Sequence, residues 1–139
     1  MASRTKSIFV KAGIAGVILT ASLGFGQSEA EYATMMKAAA AANTNMQKAV
    51  TSKDGSAAAM EAKKAETTFA EIQAFWEKKG ASDAVGFAKQ AVSVAAAVGK
   101  SASSGDMEAA ATAAKGMGAN CGGCHMAHRE KTDTGFKIK

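Results

Sequence analysis

There is no proline anywhere in this 139-residue chain, and only two cysteines, two histidines, one tryptophan and one tyrosine. Without proline no segment carries a built-in helix break, and the scarcity of aromatic and β-branched residues gives strands little to build on. Two cysteines can close one loop at most. Charge of one sign is also missing as a cluster: the formal net charge is +5, but the lysines are interspersed with acids, which argues against a nucleic-acid surface. What the chain has in abundance is alanine, the strongest helix former, so the composition points to an all-α protein of one domain.

The first thirty residues stand apart. They open with Arg4, Lys6 and Lys11, continue through an apolar run from Ala12 to Phe25, and end on the small residues Ser28 and Ala30. This is the layout of a secretory signal cleaved after Ala30. A retained membrane anchor would need about 20 apolar residues, and this run is shorter and broken by glycine and serine. Removing 1–30 takes three of the 17 basic and one of the 12 acidic residues, leaving 14 and 11, a net charge of +3. The expectation is a mature domain, 31–139, in the periplasm, with no membrane attachment after signal removal. Its alanine-rich core would be thin, and a bound cofactor supplying apolar bulk would help it fold.

Punctuation divides the mature chain into four expected helices: Glu31 to Val50, ended by an Asp-Gly turn; Ser56 to Lys79, capped by Gly80; a third from Ser82 or Asp83 to near Lys100; and a fourth from Asp106 into the cysteine cluster. Short connections between helices of similar length predict an antiparallel up-down four-helix bundle. Steps of four and three give each of the first three helices one apolar seam: Tyr32, Met36, Ala39, Asn43, Met46 and Val50; then Ala58, Ala62, Ala65, Phe69, Ile72 and Trp76; then Ala84, Phe87, Ala91, Val94 and Val98. An alanine-lined seam is either a close helix contact or a cofactor slot, and periodicity does not separate the two. The tail has turn composition at Asp133 to Gly135, and Phe136 and Ile138 are expected to fold back on the bundle.

Chemistry concentrates in "NCGGCHMAHRE", which holds Cys121, Cys124, His125 and His128. A disulfide between Cys121 and Cys124 would close too small a loop to stabilise much, and no βαβ pattern surrounds it. Zinc sites draw ligand pairs from separated segments, whereas these four residues lie close together in sequence. The order C-x-x-C-H suits a third chemistry: two thiols forming thioethers to one haem, with the adjacent imidazole as an iron ligand. On a helix the offsets of three and four keep Cys121, Cys124 and His125 on one surface.

A C-terminal CxxCH on the last helix of an exported four-helix bundle resembles the class II c-type cytochromes, the family of cytochrome c prime and its low-spin relatives. The specific likeness lies in "CGGCHMAHR" and, more loosely, in "MMKAAAAANTNM" of the first helix. It implies one covalently attached haem c held between helices, with His125 as axial ligand. Arg129 matches a basic position of the family motif and is a candidate propionate contact; His128 stands where the family commonly has Phe or Tyr, and is expected on the surface or the propionate side. Low-spin relatives add a methionine from the first helix, and Met36, on the expected seam, is the candidate second ligand, with Met35 in reserve. The implied function is one-electron transfer with periplasmic redox partner proteins and no enzymatic chemistry. The alternative is a five-coordinate haem that binds nitric oxide or carbon monoxide. Pairing into homodimers is also implied. Phe69 and Trp76 are expected in the core, Asn43 as a register-setting or haem-side polar residue, and Met46, Met60, Met107 and Met117 as packing.

Overall fold

A computed structural model describes residues 28–139, which form five helical segments, α1 (Glu29–Thr51), α2 (Gly55–Lys79), α3 (Ser82–Ser103), α4 (Met107–Ala114) and α5 (Gly116–His128), followed by an antiparallel pair of strands, β1 (Arg129–Thr132) and β2 (Gly135–Ile138). The architecture is an all-α bundle carrying a small hairpin at its end. The expected signal, 1–30, lies outside the described residues except for its last three, which enter α1. There the Ser28 hydroxyl accepts from the Glu31 amide (3.2 Å) and Glu31 Oε2 accepts from the Ser28 amide (2.6 Å). This reciprocal cap satisfies two donors that a helix start leaves open, and it begins the helix two residues before the expected Glu31.

Asp54 is likewise a cap. Its Oδ1 accepts from the Ala57 amide (2.9 Å), so Gly55 is the first helical residue of α2 and the turn is carried by Lys53 at φ 59°. Gly55 has no room for a side chain: a Cβ there would sit 2.9 Å from the Ala102 carbonyl oxygen at the end of α3. At the other end of α2, Gly80 adopts the left-handed conformation (φ 72°) as the expected cap after Lys78 and Lys79.

The α2 seam is buried as read, from Ala58 through Trp76, with Phe75 added. On α3 the buried line is Ala84, Ala88, Ala91, Ala95, Val98 and Ala102, leaving Phe87 and Val94 half-buried. The α1 seam differs in phase: Met35, Ala39, Ala42, Met46, Ala49 and Val50 are buried, whereas Tyr32, Met36 and Asn43 are half-buried along its flank. The reason is the run of alanines at 38–42. Five identical small residues present an equally apolar surface in every direction, so the rotation of α1 is set by its larger neighbours.

The expected fourth helix is in two pieces. Lys115 keeps helical angles (φ −59°, ψ −30°), so the break is local, and it falls where Gly116 and Gly118 weaken the helix by about 1 kcal/mol each relative to alanine. Side chains take up carbonyls at the break: Gln47 Nε2 donates to Ala114 O (3.2 Å) and Asn120 Nδ2 donates to Gly116 O (3.1 Å). Both α4 and α5 lean on α3, and α1 meets this last pair chiefly through α4. In the tail, Ile138 packs on the core as expected but Phe136 does not, being turned to solvent.

The two central glycines of the motif make opposite demands. A Cβ on Gly123 would lie 2.4 Å from the Phe87 ring of α3, while one on Gly122 meets open space. Gly123→Ala should therefore destabilise the chain by about 1 kcal/mol or more through overpacking, and Gly122→Ala should stabilise it by about 0.5 kcal/mol through helix propensity. Chemical denaturation of both variants checks this, and the same sign of change in the two would contradict the packing described.

Candidate functional site

The inward stripe of α5 runs Met117, Asn120, Cys121, Cys124 and His128, at helical steps of three and four. Met117 and Asn120 are buried; Cys121, Cys124, His125 and His128 are half-buried, and both thiols are free and packed against the core. Gly123, on the side of α5 toward α3, brings the helix down onto Phe87 and so fixes the rotation that turns Cys121 and Cys124 inward.

Around this stripe the start of α1, the end of α2, the start of α3 and the end of α5 meet in one cluster. Tyr32 stacks on Phe75 (centroids 4.5 Å apart) and stands edge-on to Trp76 (5.4 Å); Phe75 and Trp76 are themselves edge-to-face (5.2 Å). The His128 ring tilts against Trp76 at 4.8 Å, and its Nε2 lies 2.8 Å from Asp83 Oδ2. His128 is thus wedged between an aromatic ring and a carboxylate, with only 19% of its side chain exposed, which sets aside the surface position, one of the two expected of it. The hydrogen bond to His128 also holds the Asp83 carboxyl below its ordinary pKa.

Electrostatics favour neutral groups throughout. Burial, then the charges of Asp83 and Cys121, push the Cys124 thiol up to about 11, and burial raises Cys121 as well. Burial and the neighbouring Cys124 push the Tyr32 hydroxyl up to about 12. Burial, with the Arg129 charge adding to it, lowers the pKa of His125 and keeps its imidazole in the neutral, metal-ligating form. Such thiols are poor nucleophiles, which suits a structural attachment point better than a redox thiol.

The remaining residues singled out in the sequence fall as follows. Phe69, Trp76, Met46 and Met117 are core, Met107 is half-buried, and Met60 is 55% exposed, so it does not serve as packing. Met35 is buried in the bundle and Met36 half-buried beside Tyr32. Two polar atoms, Asn43 Oδ1 and Trp76 Nε1, are buried without a hydrogen-bond partner among the described residues. Arg129 is exposed, its guanidinium 3.8 Å above the Phe136 ring, so its contact is with the hairpin. Tyr32, Phe75 and Asp83 are site neighbours that periodicity alone does not reveal, because each joins the cluster from a different helix.

Among the described residues no three His, Cys, Asp or Glu side chains converge as a cage for a bare metal ion. Two thiols one turn apart, followed by an imidazole on the same side of one helix, instead fit a planar group that is fastened along its edge and ligated from one face. Comparison with protein-family models, with curated proteins and with solved structures finds no match.

These groups set an alkaline limit. Cys124 and Tyr32 have folded pKa values above their ordinary 9.0 and 10.0, so the stability they contribute is full below pH 9.0 and is lost as pH rises through about 11 to 12. The chain should lose helicity over that window in a pH titration followed by circular dichroism. Its thiols should also react with iodoacetamide more slowly at mildly alkaline pH than after unfolding in urea. Equal rates would contradict the protonated, half-buried thiols described.

Proposed function

We propose that the chain is an exported mono-haem c-type cytochrome that carries one electron at a time between periplasmic proteins. The observation that carries this reading is the joint placement of Cys121, Cys124 and His125: half-buried within about one turn of α5, held in their neutral forms by burial, with both thiols packed against the core and Cys124 near Tyr32. Cys121 and Cys124 would supply the sulfurs for two thioether bonds, and His125 would supply an imidazole nitrogen to the iron. When bound, the haem supplies a one-electron iron couple. Tyr32, Phe75 and Trp76 keep water from the attachment side, and so favour a potential set by the ligands.

The second ligand in this reading is Met36. At about 100° per residue, Met36 and Gln47 share one flank of α1, eleven positions apart. Gln47 on that flank hydrogen-bonds α4, and Tyr32, one turn before Met36, lies near enough to Cys124 for the thiolate to raise its pKa. Met36 therefore sits between two residues that both face the last helix pair, whereas Met35 points into the α1 seam with Ala39 and Met46. With His125 and Met36 both as ligands, the iron would be low-spin, closed to substrate and raised in potential, the properties of a carrier. No helix among the described residues is long and apolar enough to cross a membrane.

Protein exported from cells that mature c-type cytochromes should retain haem through a denaturing gel, and the double variant Cys121→Ala, Cys124→Ala should lose it. A wild-type band without haem stain would end this reading. Met36→Ala should convert a low-spin spectrum to a high-spin one, lower the potential and admit carbon monoxide, while Met35→Ala should chiefly cost stability, by about 2 to 5 kcal/mol for a buried methionine. If the wild type is already high-spin and binds carbon monoxide when reduced, the gas-binding alternative replaces the carrier.

A further inference from the structure

Directly after His128 the chain passes into the hairpin, so the surface beyond α5 begins within about one helical turn of His125. The strands pair Arg129 with Ile138, Glu130 with Lys137, Lys131 with Phe136 and Thr132 with Gly135. Side chains alternate across a strand and directly paired residues share a face, so this register sorts the hairpin's charges. One face carries Glu130 and Lys137, which neutralise each other at 3.2 Å. The opposite face carries Arg129, Lys131, Phe136 and Ile138. Ile138 roots that face in the core, while Phe136 stands 59% exposed beneath the Arg129 guanidinium. Among the described residues no carboxylate pairs with Arg129 or Lys131. Nearby on α5, Met126 is 77% exposed, and its carbonyl oxygen accepts from Lys139 Nζ at 3.0 Å, which adds a third cation to this end of the molecule.

A phenyl ring bordered by cations without carboxylate partners is best covered by a surface that is apolar at its centre and acidic at its rim. We propose that the Arg129–Lys131–Phe136 face of the hairpin is the docking surface for an acidic electron-transfer protein. The kind of partner rests on the carrier reading above; the surface rests on the hairpin alone. A lipid surface fits less well, because the hairpin tip holds Asp133 and Thr134, and insertion would drive a carboxylate toward anionic headgroups. Arg129, in this view, works at the partner interface and not on a propionate.

Binding to an immobilised flavodoxin, an acidic flavin protein used as the probe, tests the proposal by surface plasmon resonance. Arg129→Glu with Lys131→Glu should slow association at low salt by about tenfold or more, with the difference closing at high salt. Phe136→Ser should weaken binding without changing its salt dependence, and Lys137→Gln on the opposite face should change neither. Association of the charge-reversed variant at the wild-type rate overturns the proposal, as does an equal loss from Lys137→Gln. Stronger capture by phosphatidylglycerol vesicles than by flavodoxin, lost in the same variants, overturns it in favour of a membrane. Haem content, read on each sample as the pyridine haemochrome, separates the two ideas. Haem-free protein whose flavodoxin binding is lost on charge reversal removes the carrier and keeps the acidic docking surface; haem-loaded protein indifferent to the reversal removes the docking surface and keeps the carrier.

Discussion

The contact between Gly123 and the Phe87 ring is the constraint on which the site depends. A helix can be rotated about its axis until some pair of side chains refuses to move, and here the refusal comes from a position with no side chain at all. With Gly123 seated on α3, the residues two before and one after it, Cys121 and Cys124, are carried to the inward side, and His128 arrives at the end of the bundle within reach of Trp76 and Asp83. Lose that close approach and the stripe turns toward solvent. The glycines of C-G-G-C-H therefore differ in kind: one sets the rotation of the motif, the other faces open space.

The second organising feature is a hub built from four different helix ends. Tyr32, Phe75 and Trp76 bring three aromatic rings, including the single tryptophan and the single tyrosine, to the end where the thiols lie. Aromatic pairs in these geometries contribute about 0.5 to 1.5 kcal/mol each beyond the area they bury, so the hub is where an otherwise small-residue bundle gains its specificity. The His128–Asp83 bond then ties α5 to the start of α3 on the outer side. Burial holds the Cys121 and Cys124 thiols, the Tyr32 phenol and the His125 imidazole uncharged, whereas Asp83 is kept ionised by its bond to His128.

How far the sequence revealed this depended on side-chain size. The α2 seam was legible because Phe69, Ile72 and Trp76 recur at helical spacing between lysines and glutamates, and only one rotation buries them all. The all-α class was legible for a related reason, a composition dominated by alanine and free of proline. The phase of α1 was not, because the alanines at 38–42 carry no directional information and Met35 and Met36 are equally apolar neighbours. The break at Lys115 turns on the side chains of Gln47 and Asn120 as much as on local propensity. The hairpin was visible only as its turn, since four-residue strands rich in lysine lack the apolar alternation that marks longer ones. The hub was out of reach because, apart from the neighbours Phe75 and Trp76, its contacts join residues distant in sequence.

The alanine seams resolve one ambiguity that periodicity leaves open, and the resolution bears on where a prosthetic group would have to lie. Ala58, Ala62, Ala65, Ala84 and Ala95 are fully buried, so the small residues are spent on bringing helices together and do not line a slot. Along those seams the interior is closed. A bulky planar group fastened to Cys121 and Cys124 would then lie outside those seams, at the end of the bundle where Tyr32 stands near Cys124. Thioether attachment at Cys121 and Cys124 would in that case substitute covalent bonds for the apolar core that an alanine-rich chain of this size lacks, and the same bonds would keep the group at the end of the molecule from which the hairpin projects.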